Sequence, residues 1–96
     1  MSDPPLRAGV VGVGSMGENH ARVYDDIDDA TLAGVFDVST DRATAVADRF
    51  DTRALSLDEL AETVDIASIA VPTAHHYDVA TTCIRNGVDV LVEKPF

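Results

Sequence analysis

The run Gly12-Val13-Gly14-Ser15-Met16-Gly17 follows one apolar stretch and precedes a helical pattern. Twenty residues past Gly17, Asp37 closes a second apolar stretch. Few features constrain a chain more. A strand must run into a tight glycine turn, a helix must leave it, and a second strand must return parallel to the first. The spacing predicts a βαβ unit built to bind a dinucleotide. Gly12 permits the turn, Gly14 lets a pyrophosphate approach the backbone, and Gly17 lets the helix pack close to the sheet. Ser15 and Met16 stand at the helix N-terminus, where free N–H groups and the helix dipole favour phosphate. A glycine-rich turn without a ligand is the plain alternative. A kinase-type loop fits less well, because its glycines join antiparallel strands and a helix pattern follows here.

Asp37 is placed to accept hydrogen bonds from both hydroxyls of an adenosine ribose. Its charge opposes a 2′-phosphate, which favours NAD over NADP. Arg42, five residues on, is within reach of a 2′-phosphate and keeps NADP possible.

The remaining chain alternates strand and helix patterns with short connections. Strands are expected at Leu6–Val13, Thr31–Val38, around Arg53–Leu55, at Val64–Val71 and at Val88–Val92. The first helix carries Met16, His20, Val23, Tyr24 and Ile27 at three- and four-residue spacing, and Asp25, Asp26, Asp28 and Asp29 make an acidic turn after it. Ser39 caps a second helix, whose inner face is Ala43, Val46, Ala47 and Phe50. Ser56 and Glu59 form a capping box ahead of Leu57 and Leu60. Pro72 ends the fourth strand. Thr73 is a candidate cap for a helix with Val79, Ala80, Cys83 and Ile84 inward, and Asn86-Gly87 signals its end. The pattern is an α/β fold, a Rossmann-type doubly wound parallel sheet of about five strands. Residues 1–5 read as a disordered N-terminus and 6–96 as the dinucleotide-binding domain.

Bulk properties narrow the setting. The 96 residues form at most one domain, burying roughly 65% of its unfolded surface. Neither a membrane span nor a secretory signal is visible. The single cysteine, Cys83, fits a reducing compartment, and a cytoplasmic location is expected. Seventeen acidic residues face seven basic ones, for a net charge of −10. Such a surface repels nucleic acid and anionic membranes. Thirteen of the acids are Asp and Lys94 is the only lysine, a balance that suits high salt, where self-repulsion is screened.

Other reactive side chains read as structural. His20 reads as a packed histidine near the glycine loop. His75 and His76 are neighbours and point about 100° apart on a helix, a poor chelating pair. No metal is expected, and Cys83 reads as an inert core thiol.

Three segments carry a family resemblance: Gly12-Val13-Gly14-Ser15-Met16-Gly17-Glu18-Asn19-His20-Ala21-Arg22-Val23-Tyr24, Ala70-Val71-Pro72-Thr73-Ala74-His75-His76 and Val90-Leu91-Val92-Glu93-Lys94-Pro95. Together they resemble the glucose–fructose oxidoreductase/inositol dehydrogenase/MocA family over nearly the whole chain after Pro5. Glu93-Lys94-Pro95 is the most specific element. The resemblance implies an NAD(P)-dependent oxidoreductase acting on sugars, inositols or related polyol and carbonyl compounds. It implies that Lys94 is catalytic, near the nicotinamide and the substrate hydroxyl, where a cation would hold a developing alkoxide or move its proton. Pro95 shapes that loop. Pro72 and His76 match the Pro and His of the family's Thr-Pro-Asn-x-x-His stretch beside the cofactor. Val71 stands where Thr is common and Thr73 where Asn is common. The family's C-terminal domain and sixth strand are missing. The chain therefore reads as a fragment or a truncated reading frame, with self-association through the fifth strand's edge as a further expectation. A stand-alone dinucleotide-binding module and an inactive remnant are the other readings.

Overall fold

A computed structural model describes residues 5–71 and 76–92; for Ser15, His76, Tyr77 and Val92 it describes the backbone alone. Four parallel strands form one sheet: β1 (Leu6–Val11), β2 (Ala30–Phe36), β3 (Ile66–Ile69) and β4 (Asp89–Val92), in the order β2-β1-β3-β4. Four helices connect them: α1 (Ser15–Asp26), α2 (Thr40–Arg49), α3 (Leu57–Thr63) and α4 (His76–Arg85). The order runs outward from β1 in both directions, as a doubly wound sheet must.

Each strand expected from the sequence has a counterpart, with one reduction. The stretch around Arg53–Leu55 forms a single parallel bridge, Ala54 to Val35, rather than a strand. Its two backbone bonds are Val35 N–H to Arg53 C=O (2.9 Å) and Leu55 N–H to Val35 C=O (2.9 Å). The physical limit is length. Asp51 turns the chain with φ +54°, and Ser56 already caps α3, so few extended residues remain between them. Residues 1–4, together with Pro72, Thr73 and its expected cap, lie outside the described residues.

The core has two parts, one on each face of the sheet. On one face Leu60 of α3 and Val79 and Cys83 of α4 pack with Val11, Ala67, Ile69 and Val88. On the other, Ala21 of α1 and Val46 and Ala47 of α2 pack with Val10, Val13, Leu32 and Val35. Neighbouring strand residues thus serve opposite faces, Val10 one and Val11 the other, as a parallel strand buried on both sides requires. Ile84, expected inward, is 61% exposed. The buried stripe of α4 runs through Val79 and Cys83, and Ile84 lies beyond its edge. Helix α1 is also rotated relative to its apolar pattern. Gly17 and Ala21 are buried, while Met16, Val23 and Ile27 are exposed.

The helix ends follow the sequence signals. Ser39 Oγ accepts from the Arg42 N–H at 3.3 Å. Ser56 and Glu59 exchange both bonds of the capping box at 3.1 Å, and the Ser56 N–H holds the Glu59 carboxyl below its usual range. Gly87 (φ +77°) ends α4. Val88 N–H reaches Cys83 C=O at 3.0 Å and Gly87 N–H reaches Ile84 C=O at 3.0 Å, the paired bonds of a Schellman motif. At the same end of the sheet, where β1 and β3 begin, Asp65 accepts from the Arg7 N–H (2.9 Å) and guanidinium (3.4 Å). Those bonds, the backbone one first, lower its pKa.

Candidate cofactor-binding site

The C-terminal ends of β1, β2 and β3 open onto a cleft of about 440 Å³. After β1 come Gly12 and Gly14, after β2 come Asp37 and Val38, and after β3 come Ala70 and Val71. Arg42 of α2, Leu57 of α3, and Asp78 and Val79 of α4 complete the wall together with Phe36. The cleft sits between β1 and β3, where successive connections turn to opposite sides. Open α/β sheets bind ligands at that switch point.

The three glycines of the motif are demanded by different things. Gly12 has φ +91°, and a Cβ there would lie 2.8 Å from the Ala70 carbonyl oxygen. A Cβ on Gly17 would land on the Gly12 carbonyl oxygen. Both positions are closed to side chains by the fold itself. Gly14 is different. Its φ of −69° and ψ of −163° suit any residue. A Cβ there would meet only the Arg42 guanidinium, at 3.8 Å. Nothing in the described fold excludes alanine at this position, and the space that its methyl would take adjoins the leading turn of α1.

That turn is prepared for an anion. Gly14 caps α1 without a side-chain hydrogen bond. The helical pattern of bonding starts at the Glu18 N–H, which donates to the Gly14 carbonyl at 2.8 Å. The amides ahead of Glu18 have no intrahelical acceptor and carry the positive end of the helix dipole. Glu18 itself pairs with Arg49 of α2, which ties the two helices together.

Asp37 is only 7% exposed. Its Oδ2 accepts from the Val13 N–H at 2.9 Å and its Oδ1 from the Ser39 N–H at 2.8 Å. The carboxylate thus fastens the glycine turn to the end of β2. A carboxylate has about four acceptor positions, so two backbone donors leave capacity for two ribose hydroxyls. Arg42 Nη1 stands 4.0 Å from Oδ2. A dinucleotide fits this donor and acceptor set: amides and an open glycine for the pyrophosphate, a fixed carboxylate for the ribose.

Of the sequence-predicted residues, Gly12, Gly14, Asp37 and Val71 line one cleft. Gly17 supports it from below through Gly12. Ser15 begins α1 at its rim, while Met16 is 43% exposed and outside the lining. His76 opens α4. Glu93, Lys94 and Pro95 lie outside the described residues. His20 belongs elsewhere, to a groove with Val23, Tyr24 and Leu91. Cys83 is fully buried, and burial pushes its thiol pKa up, away from reactivity. Among the described residues no group of three or more His, Cys, Asp or Glu side chains comes together to hold a metal.

Sequence reasoning missed Phe36, Val38, Ala70, Leu57, Asp78 and Val79. Val38 carried a signal, an apolar residue directly after the acid that follows β2; it is 87% exposed and borders the cleft. Asp78 and Val79 carried none, because α4 reaches the cleft only through the crossover from β3.

The model of the Gfo/Idh/MocA oxidoreductase family, described by its NAD-binding Rossmann fold, matches residues 6–96. Among curated proteins, UDP-N-acetylglucosamine 3-dehydrogenase of Acidithiobacillus ferrooxidans is 46% identical over 92 residues, covering 95% of this chain and 29% of the relative. Inositol 2-dehydrogenase 4 of Saccharopolyspora erythraea is 36% identical over 100 residues, covering 99% and 30%. The crystal structure of the Acidithiobacillus enzyme superposes with TM-score 0.91 at 44% identity, covering 98% of this chain and 31% of that one. GenD2 from gentamicin A biosynthesis, solved in complex with NAD, superposes with TM-score 0.89 at 36% identity, covering 99% and 28%. The chain thus spans about 30% of the length of the relatives it matches.

Proposed function

This chain belongs to the Gfo/Idh/MocA oxidoreductase family and carries its NAD-binding Rossmann fold, and from that premise we propose that it is the cofactor half of a sugar, inositol or related polyol dehydrogenase. The observation that carries the reading is Gly14. None of the described residues demands glycine there, whereas a pyrophosphate lying against the backbone does. The relatives named above are dehydrogenases of UDP-N-acetylglucosamine and of inositol, which supports that substrate class for the intact protein.

When bound, the nicotinamide accepts or gives the hydride. The residues of this chain do the holding. The leading amides of α1 meet the phosphates, and Gly14 lets them come close. Asp37, already fixed by Val13 and Ser39, accepts from the ribose hydroxyls. Its buried negative charge disfavours a 2′-phosphate, so NAD is the coenzyme we favour. Arg42, at 4.0 Å from Asp37, moderates that preference and leaves NADP as the second choice.

Lys94 supplies the chemistry at the substrate. Its support is the Glu93-Lys94-Pro95 motif and its standing as the sole lysine in an acidic chain. Pro72, Thr73 and His76 border the cofactor on the same reading. A lysine ammonium beside the reacting hydroxyl stabilises the alkoxide and passes its proton on. The same reading places the protein in the cytoplasm and adapts its surface to salt. Asp25, Asp26, Asp28, Asp29, Asp41, Asp48, Asp51 and Asp58 are all exposed, and molar KCl screens their mutual repulsion.

Coenzyme titration of the purified protein, followed by NADH fluorescence, tests the reading. Saturable binding with NADH tighter than NADPH is expected. No binding at about millimolar NADH, a free energy near −4 kcal/mol, would reduce the chain to an inactive remnant. Tighter NADPH would reverse the coenzyme choice.

A further inference from the structure

The coenzyme cleft does not end at Gly14. Beyond it, between α1 and α2, lies a recess of about 470 Å³ bordered by Gly14, Glu18, Arg42 and Arg49. Gly14 and Arg42 border the cleft as well, so the two spaces join beside the leading turn of α1. The recess gathers positive charge in an acidic chain. It takes two of the six arginines, in a chain whose net charge is −10.

Glu18 is an odd neighbour for an anion. It is the acidic residue in the first turn of α1, one turn along from Gly14, whose carbonyl its N–H meets at 2.8 Å. A carboxylate there suits the helix dipole and opposes any phosphate brought to the same amides. Its side chain is 25% exposed, so water screens it only in part, and its partner is Arg49 of α2. Arg49 is 56% exposed, and a pair this open to water contributes little to stability. Its effect on the local charge is larger. Cleft and recess together are bordered by three carboxylates, Asp37, Asp78 and Glu18, and by two guanidiniums, Arg42 and Arg49. Arg42 stands 4.0 Å from Asp37, which leaves Arg49 to answer Glu18.

We propose that Arg49 is a positioning residue for the coenzyme, acting through Glu18 without touching the ligand. Arg49 lies outside the cleft lining. It draws the Glu18 carboxylate toward α2 and cancels its charge, and so sets how tightly a pyrophosphate is held at the α1 amides. The proposal rests on the reading of the cleft as the NAD site. A simple tie between two helices makes a different prediction. If the pair only braces α1 against α2, removing both charges leaves the brace broken and binding weak. If Arg49 works by compensating Glu18, removing both charges restores binding.

A charge cycle on the intact protein tests this, with NADH titration as the readout and circular dichroism to verify each fold. At about 0.1 M KCl, where charges are felt over about 10 Å, Arg49→Gln should raise the Kd for NADH about three- to tenfold. Arg49→Lys keeps the charge and should stay within about twofold of the wild type. Glu18→Gln should lower the Kd, and the double variant with Arg49→Gln should return to within about twofold of the wild type. At about 1 M KCl, with a Debye length of about 3 Å, the effect of Arg49→Gln should shrink below about twofold. An unmoved Kd in Arg49→Gln overturns the proposal. So does a lysine variant or a double variant as weak as Arg49→Gln, or a difference that survives high salt. Should Arg49→Gln not fold, Glu18→Gln carries the test alone, and unchanged or weaker binding there overturns the proposal. Wild-type protein without NADH binding removes the coenzyme reading and this inference with it. Wild-type binding with an unmoved Arg49→Gln removes this inference alone.

Discussion

The two halves of the cleft are built differently. The half at β1 and β2 is fastened by the chain's own bonds. Asp37 grips the amides of Val13 and Ser39, and Gly17 seats directly under Gly12. The half at β3 and α4 is an apolar wall of Ala70, Val71 and Val79 with the exposed Asp78. On the proposed function, one half recognises what every dinucleotide shares and the other faces what distinguishes one reaction from another. Rigidity on the first side lets substrate choice vary on the second without losing the coenzyme.

Substitutions can break that contrast, and the largest effect is expected on the reaction side. Lys94→Ala in the intact enzyme should lower kcat by about 10²–10⁴-fold while leaving the affinity for NADH almost unchanged. Undiminished turnover would remove the lysine from the mechanism. On the fastened side, Gly17→Ala should destabilise by about 1–3 kcal/mol through overpacking against Gly12 and weaken NADH binding with it, which thermal unfolding and titration read together. Asp37→Asn removes the charge and, because its amide nitrogen cannot accept, one of the two backbone bonds. It should shift the NADH/NADPH preference toward NADPH by about tenfold, a difference near 1.4 kcal/mol, measured as a ratio of Kd values.

Smaller effects sharpen the boundary of the site. Ser56→Ala removes the capping box of α3 but none of the groups proposed to hold the phosphates. It should cost about 1 kcal/mol of stability with no change in coenzyme affinity. The pH dependence has a worked sign. Glu59 and Asp65 have pKa values lowered in the fold by the Ser56 and Arg7 backbone bonds. Their contribution is complete above the unfolded values, near 4, and is lost as pH falls through the folded ones. The thermal midpoint should therefore drop on acidification below about pH 5, and less steeply in Asp65→Asn.

Much of the fold was legible because its signals are local. Glycine turns, caps and apolar runs fix where β1, α2, α3 and the end of α4 lie. The third expected strand shrank to the Ala54 bridge because the turn at Asp51 and the cap at Ser56 compete for the same few residues. The rotation of α1 was not legible. Met16, Val23 and Ile27 have the spacing of a core stripe, yet Gly17 and Ala21 bring the helix close enough to the sheet to take the inward face. Small residues carry almost no weight in an apolar pattern, although they set the packing distance. For the site, the cleft-lining Gly12, Gly14 and Asp37 were readable from spacing. The double grip of Asp37 on the backbone was not, since it depends on how the ends of β1 and β2 meet.

Gly14→Ala separates a glycine held by the fold from one held by a ligand more directly than any other change. NADH titration and thermal unfolding of that variant should show a Kd raised about tenfold or more, near 1.4 kcal/mol, with the melting midpoint unmoved. Unchanged affinity would mean that no pyrophosphate approaches this backbone, and the cleft would lose its assignment as the NAD site.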